Sequence, residues 1–148
     1  MEETEGRGLV VDWCVQLEVL SHPSVAAFMS HCGWNSTLEA LSLGVPVLTM
    51  GVWTDQTTNS KFLADVWRAG VKMGKGKDGT VGRGEIERCI RLAVDQRTEA
   101  GEEVRKNALK WKKLAKTAMS EGGSSDINLN EFVQEVAAIS TQSFPPPV

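Results

Sequence analysis

The chain has 148 residues, a length that fits one domain, and its 41% hydrophobic content is enough to bury a core. With 24% charged residues and a formal net charge of −3, it lacks the dense positive face that counterion release onto nucleic acid demands. No apolar run approaches the ~20 residues of a membrane span, and the acidic start from Met1 to Arg7 has no secretory apolar core.

Apolar runs bounded by turn residues predict short buried strands at residues 8–11, 25–30 and 45–50, and a shorter one at 71–73. Between them the spacing predicts a helix from just after Gly33 to near Gly44, with Leu38 and Leu41 on it. A second helix, at about 57–67, carries Phe62, Leu63, Val66 and Trp67 on one side. Strands alternating with helices of this length imply an α/β fold, a Rossmann-like parallel sheet with crossover helices. After residue 82 the pattern turns to helix alone. Ile86, Cys89, Ile90 and Ala93 share one stripe, and Val104, Ala108, Trp111, Ala115 and Ala118 share another. Gly122 and Gly123 break that helix, and Ser125 or Asp126 can cap a last one carrying Phe132, Val133, Val136 and Ala137. The tail after Phe144 is proline-rich and is expected to be loose. Because the chain enters almost directly at a strand, the opening βα units of the sheet are expected to be absent, which leaves a strand edge unpaired.

The cysteines, Cys14, Cys32 and Cys89, are odd in number and lack close pairing. That speaks against a disulfide framework or a zinc site and for a reducing, cytoplasmic compartment.

The chemistry concentrates in three stretches: Trp13-Cys14-Val15-Gln16, His31-Cys32-Gly33-Trp34-Asn35-Ser36-Thr37-Leu38-Glu39, and Trp53-Thr54-Asp55-Gln56. A strand running into Gly33 and then a helix puts backbone N–H groups and a positive helix end at the carboxyl edge of a parallel sheet, where open α/β sheets bind ligands. His31, Asn35 and Ser36 supply donors to a diphosphate, Glu39 suits ribose hydroxyls, and Asp55 with Gln56 suits the hydroxyls of a sugar. Trp13 offers a flat face to a base.

On these residues, with Gly44-Val45-Pro46 at fixed spacing between them, the span 13–56 resembles the signature box of plant secondary-product UDP-glycosyltransferases. The run Trp53 to Asn59 is similar to the branch that glucosylates small phenolic acids and auxins. The resemblance implies the C-terminal lobe of a two-lobed (GT-B) glycosyltransferase, here incomplete. It divides the chain into the start of a truncated lobe (1–12), the UDP-sugar box (13–56), the remaining α/β and helical part (57–121), a C-terminal helix (122–143) and a tail (144–148). It implies that Trp13 stacks on uracil, that the Cys14 backbone meets the uracil edge, and that Gln16 and Glu39 hold the ribose. His31, Gly33, Asn35 and Ser36 would grip the diphosphate, while Trp34, Asp55 and Gln56 face the sugar, with UDP-glucose as donor and no metal. The family's reaction is displacement at the anomeric carbon with inversion, which makes leaving-group stabilisation the task of this part. Its general base, a His supported by an Asp, comes from the N-terminal lobe, so no catalytic residue is expected within this chain, which is predicted to be inactive alone. A small-molecule acceptor would bind only with that lobe, and neither nucleic acid nor membrane is an expected partner. Two departures, Val15 and Gly51-Val52 where proline is usual, are expected to loosen the backbone beside the uracil contact and the loop presenting Asp55.

Plainer roles compete for the same residues. Ser36-Thr37-Leu38-Glu39 also matches a helix capping box. Gly74 to Gly79 matches G-x-G-x-x-G but opens no helix, so a loop is expected; Trp67 and Trp111 fit a core role; and the basic run Arg105 to Lys116 fits a solvated helix face. The alternative to an enzyme part is a non-catalytic module that binds a UDP-sugar or a partner protein; a third is a truncated product that never folds stably.

Overall fold

The structure is a computed structural model describing residues 6–141; the expected tail and the end of the last predicted helix lie outside the described residues. The chain runs α1 (Gln16–Ser21), β1 (Phe28–Ser30), α2 (Trp34–Leu43), β2 (Val47–Thr49), α3 (Asp55–Lys61), β3 (Gly70–Lys72), α4 (Arg83–Val94), α5 (Glu99–Met119) and α6 (Ser124–Thr141). The three strands form a parallel sheet in the order β1-β2-β3. Ser30 sits level with Thr49, and Thr49 with Lys72, so all three strands end at one edge.

Central β2 is buried on both faces, and its side chains alternate as pleating requires. Val47 joins a core of Cys32, Ala40, Leu41, Leu63, Ala69 and Ala108, which closes α2 and α5 over one face. Leu48 joins Met73, Cys89 and Ala93 on the other face, beneath α4. α3 does not stop cleanly. A wider π-helical turn over Phe62–Val66 continues it, with Trp67 N–H donating to the Phe62 carbonyl at 2.7 Å. That turn swings Trp67 onto Trp111, whose indole Nε1–H donates to the Trp67 carbonyl at 3.2 Å while the ring centroids lie 5.7 Å apart. Both tryptophans are half-buried against the first core cluster, the role expected of them.

Several expectations need correction. Residues 8–11 form no strand: Leu9 and Val10 are 88% and 94% exposed. An apolar run predicts burial but supplies no partner, and no neighbouring strand takes up its hydrogen bonds among the described residues. β1 and β2 are half as long as the apolar runs 25–30 and 45–50, whose flanking residues are irregular, while β3 is as long as the run at 71–73, one residue earlier. The helix expected near residue 57 begins at Asp55, and the unforeseen α1 precedes β1. α6 starts at Ser124, and its Phe132, Val133 and Val136 are exposed; it adds no residue to either core cluster. Asp126 still serves this junction, its carboxylate accepting from the Gly122 amide at 3.0 Å. Residues 74–82 are a loop, as expected, pinned where Glu85 accepts from the Gly74 amide at 2.7 Å. Among the described residues no helix is long and apolar enough to cross a membrane.

Candidate functional site

β1 hands the chain to α2 through a turn at residues 31–33. Cys32 lies in the left-handed region at φ 66, which costs a non-glycine residue about 1–2 kcal/mol. Hydrogen bonds hold it there. Its amide donates to Ser30 Oγ at 3.0 Å, and its carbonyl accepts from Asn59 Nδ2 at 3.0 Å and Thr37 Oγ1 at 3.4 Å. Burial pushes the Cys32 thiol pKa up, so the group stays protonated and donates to the Ser30 carbonyl at 3.4 Å.

Gly33 is the residue before α2, and no side chain caps that helix. A Cβ on Gly33 would lie 2.9 Å from His31 Nε2, so the imidazole is folded over the glycine. The first amides of α2, on Trp34, Asn35 and Ser36, therefore lie uncapped beside an imidazole, at the positive end of a ten-residue helix. The capping box does not form. α2 begins at Trp34, which makes Ser36 its third residue and leaves Glu39 beyond reach of a cap. Both turn instead to Gln16 at the start of α1, whose Nε2 donates to Ser36 Oγ at 3.1 Å and Glu39 Oε2 at 2.6 Å.

The loop after β2 is built in parallel fashion. Thr54, just before α3, also has positive φ (51), an uncommon state for a β-branched residue. Gln56 is only 8% exposed, and its Oε1 accepts from the amides of Val52 and Trp53 at 3.2 and 3.3 Å. Its oxygen thus closes its own loop. Gly51 does not loosen that loop: a Cβ there would come within 2.6 Å of the Gln56 carbonyl, so its bareness lets the strands of the loop close up. Asp55 is exposed, with Oδ1 accepting from Thr54 Oγ1 at 2.9 Å and Oδ2 from Asn59 Nδ2 at 2.7 Å.

Two polar clusters therefore flank the start of α2. Gln16, Ser36 and Glu39 form one; Asp55, Asn59 and the Cys32 carbonyl form the other, with His31 and Gly33 on the turn that joins them. Trp34 and Asn35 are exposed on the first turn of α2. Trp13 and Cys14 are not anchored in the same way: they lie on irregular backbone, Trp13 being 78% exposed. A cleft of about 300 Å³ opens at the ends of β2 and β3, lined by Thr49, Gly51, Ser60, Lys72 and Gly74 among others, with no residue of either cluster in its lining. A larger hollow of about 690 Å³ is lined by α4 alone, from Arg83 to Val94; one helix flank makes a groove, not a convergent site. No group of three or more His, Cys, Asp or Glu among the described residues could hold a metal ion.

Asn59 escaped the reading of the sequence as a site residue. Its signal was there: it lies four residues after Asp55, on the same face of α3. The two positive-φ residues of the site, Cys32 and Thr54, carried no such signal.

Comparison with known proteins places the chain in a family. Residues 2–78 match the family model described as UDP-glucoronosyl and UDP-glucosyl transferase. The chain is 57% identical over 137 residues to UDP-glycosyltransferase 75C1 of Solanum lycopersicum, and also to Mogroside I-E synthase of Siraitia grosvenorii. In each case it covers 93% of its own length and 29% of the relative's. Among solved structures, Os79 from O. sativa in complex with UDP superposes with a TM-score of 0.86 at 48% identity. Phytolacca americana UGT2, complexed with UDP-2fluoro-glucose and pterostilbene, gives 0.84 at 32%. Each match covers 90% of this chain and 30% of the other. The strand-to-helix turn, its flanking polar clusters and these likenesses lead to one conclusion: the chain belongs to the UDP-glucoronosyl and UDP-glucosyl transferase family and has the fold of the C-terminal lobe of its two-lobed plant members.

Proposed function

We propose that this chain binds a UDP-sugar, with UDP-glucose as the donor, and positions it for transfer to a small-molecule hydroxyl or carboxyl acceptor. The observation that carries the proposal is the convergence at the α2 N-terminus, where His31 covers Gly33 between two polar clusters. The diphosphate lies against the first-turn amides of α2 with His31, Asn35 and Ser36 around it, which spreads its charge over fixed donors. Glu39 and Gln16 take the ribose hydroxyls, exchanging their mutual hydrogen bond for bonds to the ligand. Asp55 accepts from the glucosyl hydroxyls beside Trp34, and the Gln56 amide nitrogen serves the same end while its oxygen holds the loop. Trp13 closes over uracil, with the Cys14 backbone at the base edge.

We also propose that the reaction's general base comes from outside these 148 residues. The chain has two histidines. His31 is committed to the diphosphate turn, and His22 accepts from the Ser24 amide at 3.2 Å in an exposed turn. Helix end and imidazole balance the leaving diphosphate without a metal. Free thiols at Cys14, Cys32 and Cys89 fit a cytoplasmic setting.

Isothermal titration of the chain with UDP and UDP-glucose tests donor binding. Saturable heat that survives EDTA is expected; no heat at millimolar ligand removes the proposal. Replacing His31 by Ala should weaken UDP about tenfold, the loss of one bond to a charged group. A UDP-release assay with small phenolic acids should read background, and turnover would show that the chain supplies its own base.

A further inference from the structure

We infer that Asn59 is the positioning residue of this site, one side-chain amide that sets both the phosphate end and the sugar end of the donor cradle. The inference rests on the nucleotide-sugar reading above. Asn59 is 8% exposed on α3, and its Nδ2 lies 3.0 Å from the Cys32 carbonyl oxygen and 2.7 Å from Asp55 Oδ2. Both partners can only accept, so the nitrogen faces them and its two hydrogens are shared one to each. No other side chain joins the turn after β1 to the first residue of α3 in this way among the described residues.

The consequence at the phosphate end follows from peptide planarity. The Cys32 C=O and the Gly33 N–H belong to one trans peptide and point in opposite directions. Asn59 and Thr37 draw the carbonyl inward, which turns the Gly33 N–H outward, towards the end of α2 where a diphosphate would lie. The same pull sustains the left-handed Cys32, a conformation that an unheld non-glycine residue leaves readily. At the sugar end, Asp55 is exposed and would otherwise sample several rotamers. Asn59 fixes Oδ2 and Thr54 fixes Oδ1, leaving the remaining lone pairs in set directions for ligand hydroxyls. The two ends are thereby coupled through a single buried group.

Asn59→Asp tests this, because it keeps the shape of the side chain while exchanging its donors for a carboxylate that repels Asp55. Titrations at pH 8 with UDP and UDP-glucose are compared for the wild type, Asn59→Asp and Asn59→Ala. Both variants should weaken UDP about tenfold and, beyond that, lower the ratio of UDP-glucose to UDP affinity about threefold or more, on the scale of lost bonds to charged groups. A residue that merely fills space would leave that ratio unchanged, and Asn59→Asp with wild-type affinities and ratio overturns the inference. Wild-type protein that binds no UDP overturns the nucleotide-sugar reading, and this inference with it. Should the variants not fold, the nitrogen-15 spectrum of the wild type decides. The two Asn59 side-chain amide protons should be protected from solvent exchange and shift on addition of UDP-glucose; exchange at the rate of a free amide overturns the inference.

Discussion

Residues 8–15, which carry Trp13 and Cys14 of the proposed site, and residues 30–37, which carry its diphosphate turn, are built in opposite ways. In the turn after β1, Ser30, Cys32, Gly33 and Thr37 exchange hydrogen bonds within the protein, and the core closes beneath them. In the earlier segment Leu9, Val10 and Trp13 stand in solvent on irregular backbone. The difference implies that, in the donor cradle proposed above, the diphosphate half would be preorganised and the uracil half would be ordered on binding. Ordering a residue's backbone costs about 1–2 kcal/mol. Affinity should therefore be set by the turn, and sensitivity to change by the open segment.

The sharpest way to break that contrast is in the core. Leu63 is fully buried under the turn, and Leu63→Ala should lower stability by about 2–5 kcal/mol in urea unfolding. Leu9→Ala in the open segment should stay within about 0.5 kcal/mol. Comparable losses would mean that the open segment packs in solution. Next in size is Trp13→Ala. It should leave the unfolding midpoint alone yet cost about 1–3 kcal/mol of UDP binding, the usual worth of stacking a base. A shifted midpoint with unchanged binding would reverse the assignment. Smaller still is Val15→Pro. Val15 has φ −76, within the proline range, just before α1. Removing freedom from the unbound segment should improve UDP binding by about 0.4–1 kcal/mol; weaker binding would show that its amide is needed.

The smallest effect tests the far loop. Glu85 has its pKa lowered to about 2, first by the Arg88 guanidinium and then by the Gly74 amide. A depressed carboxylate pKa means that the folded state favours the ionised form. Its contribution is present above the unfolded value near 4.5 and is lost as pH falls towards about 2. A carbon-13 titration of the Glu85 carboxyl should have its midpoint near 2, and Arg88→Ala should move that midpoint back up; a midpoint that ignores Arg88 would leave the tether to Gly74 as its main cause.

Much of this was legible before any coordinates. Alternating apolar runs and helical stripes gave the parallel α/β order, because period and turn residues are local properties. The box from Trp13 to Gln56 gave the family, because ligand chemistry fixes residue types at set spacing. The capping box that Ser36 to Glu39 also matches does not form, for a related reason. Local spacing cannot tell a cap from a third helical residue, and Gln16, which takes both Ser36 and Glu39, lies 20 and 23 residues away. The loop-closing bonds of Gln56 were out of reach likewise, since only the folded loop brings the Val52 and Trp53 amides to its oxygen.

By itself, then, the order of residues determined the alternation of strands and helices, the glycine-led start of α2 and the set of polar groups available to a nucleotide-sugar. Only the tertiary structure decided which of those groups face one another. Whether 8–11 becomes a strand depends on a neighbour to pair with, and whether Asn59 matters depends on Cys32 and Asp55 meeting around it. Pairing energies of that kind belong to two distant stretches of chain at once, and neither stretch records them alone.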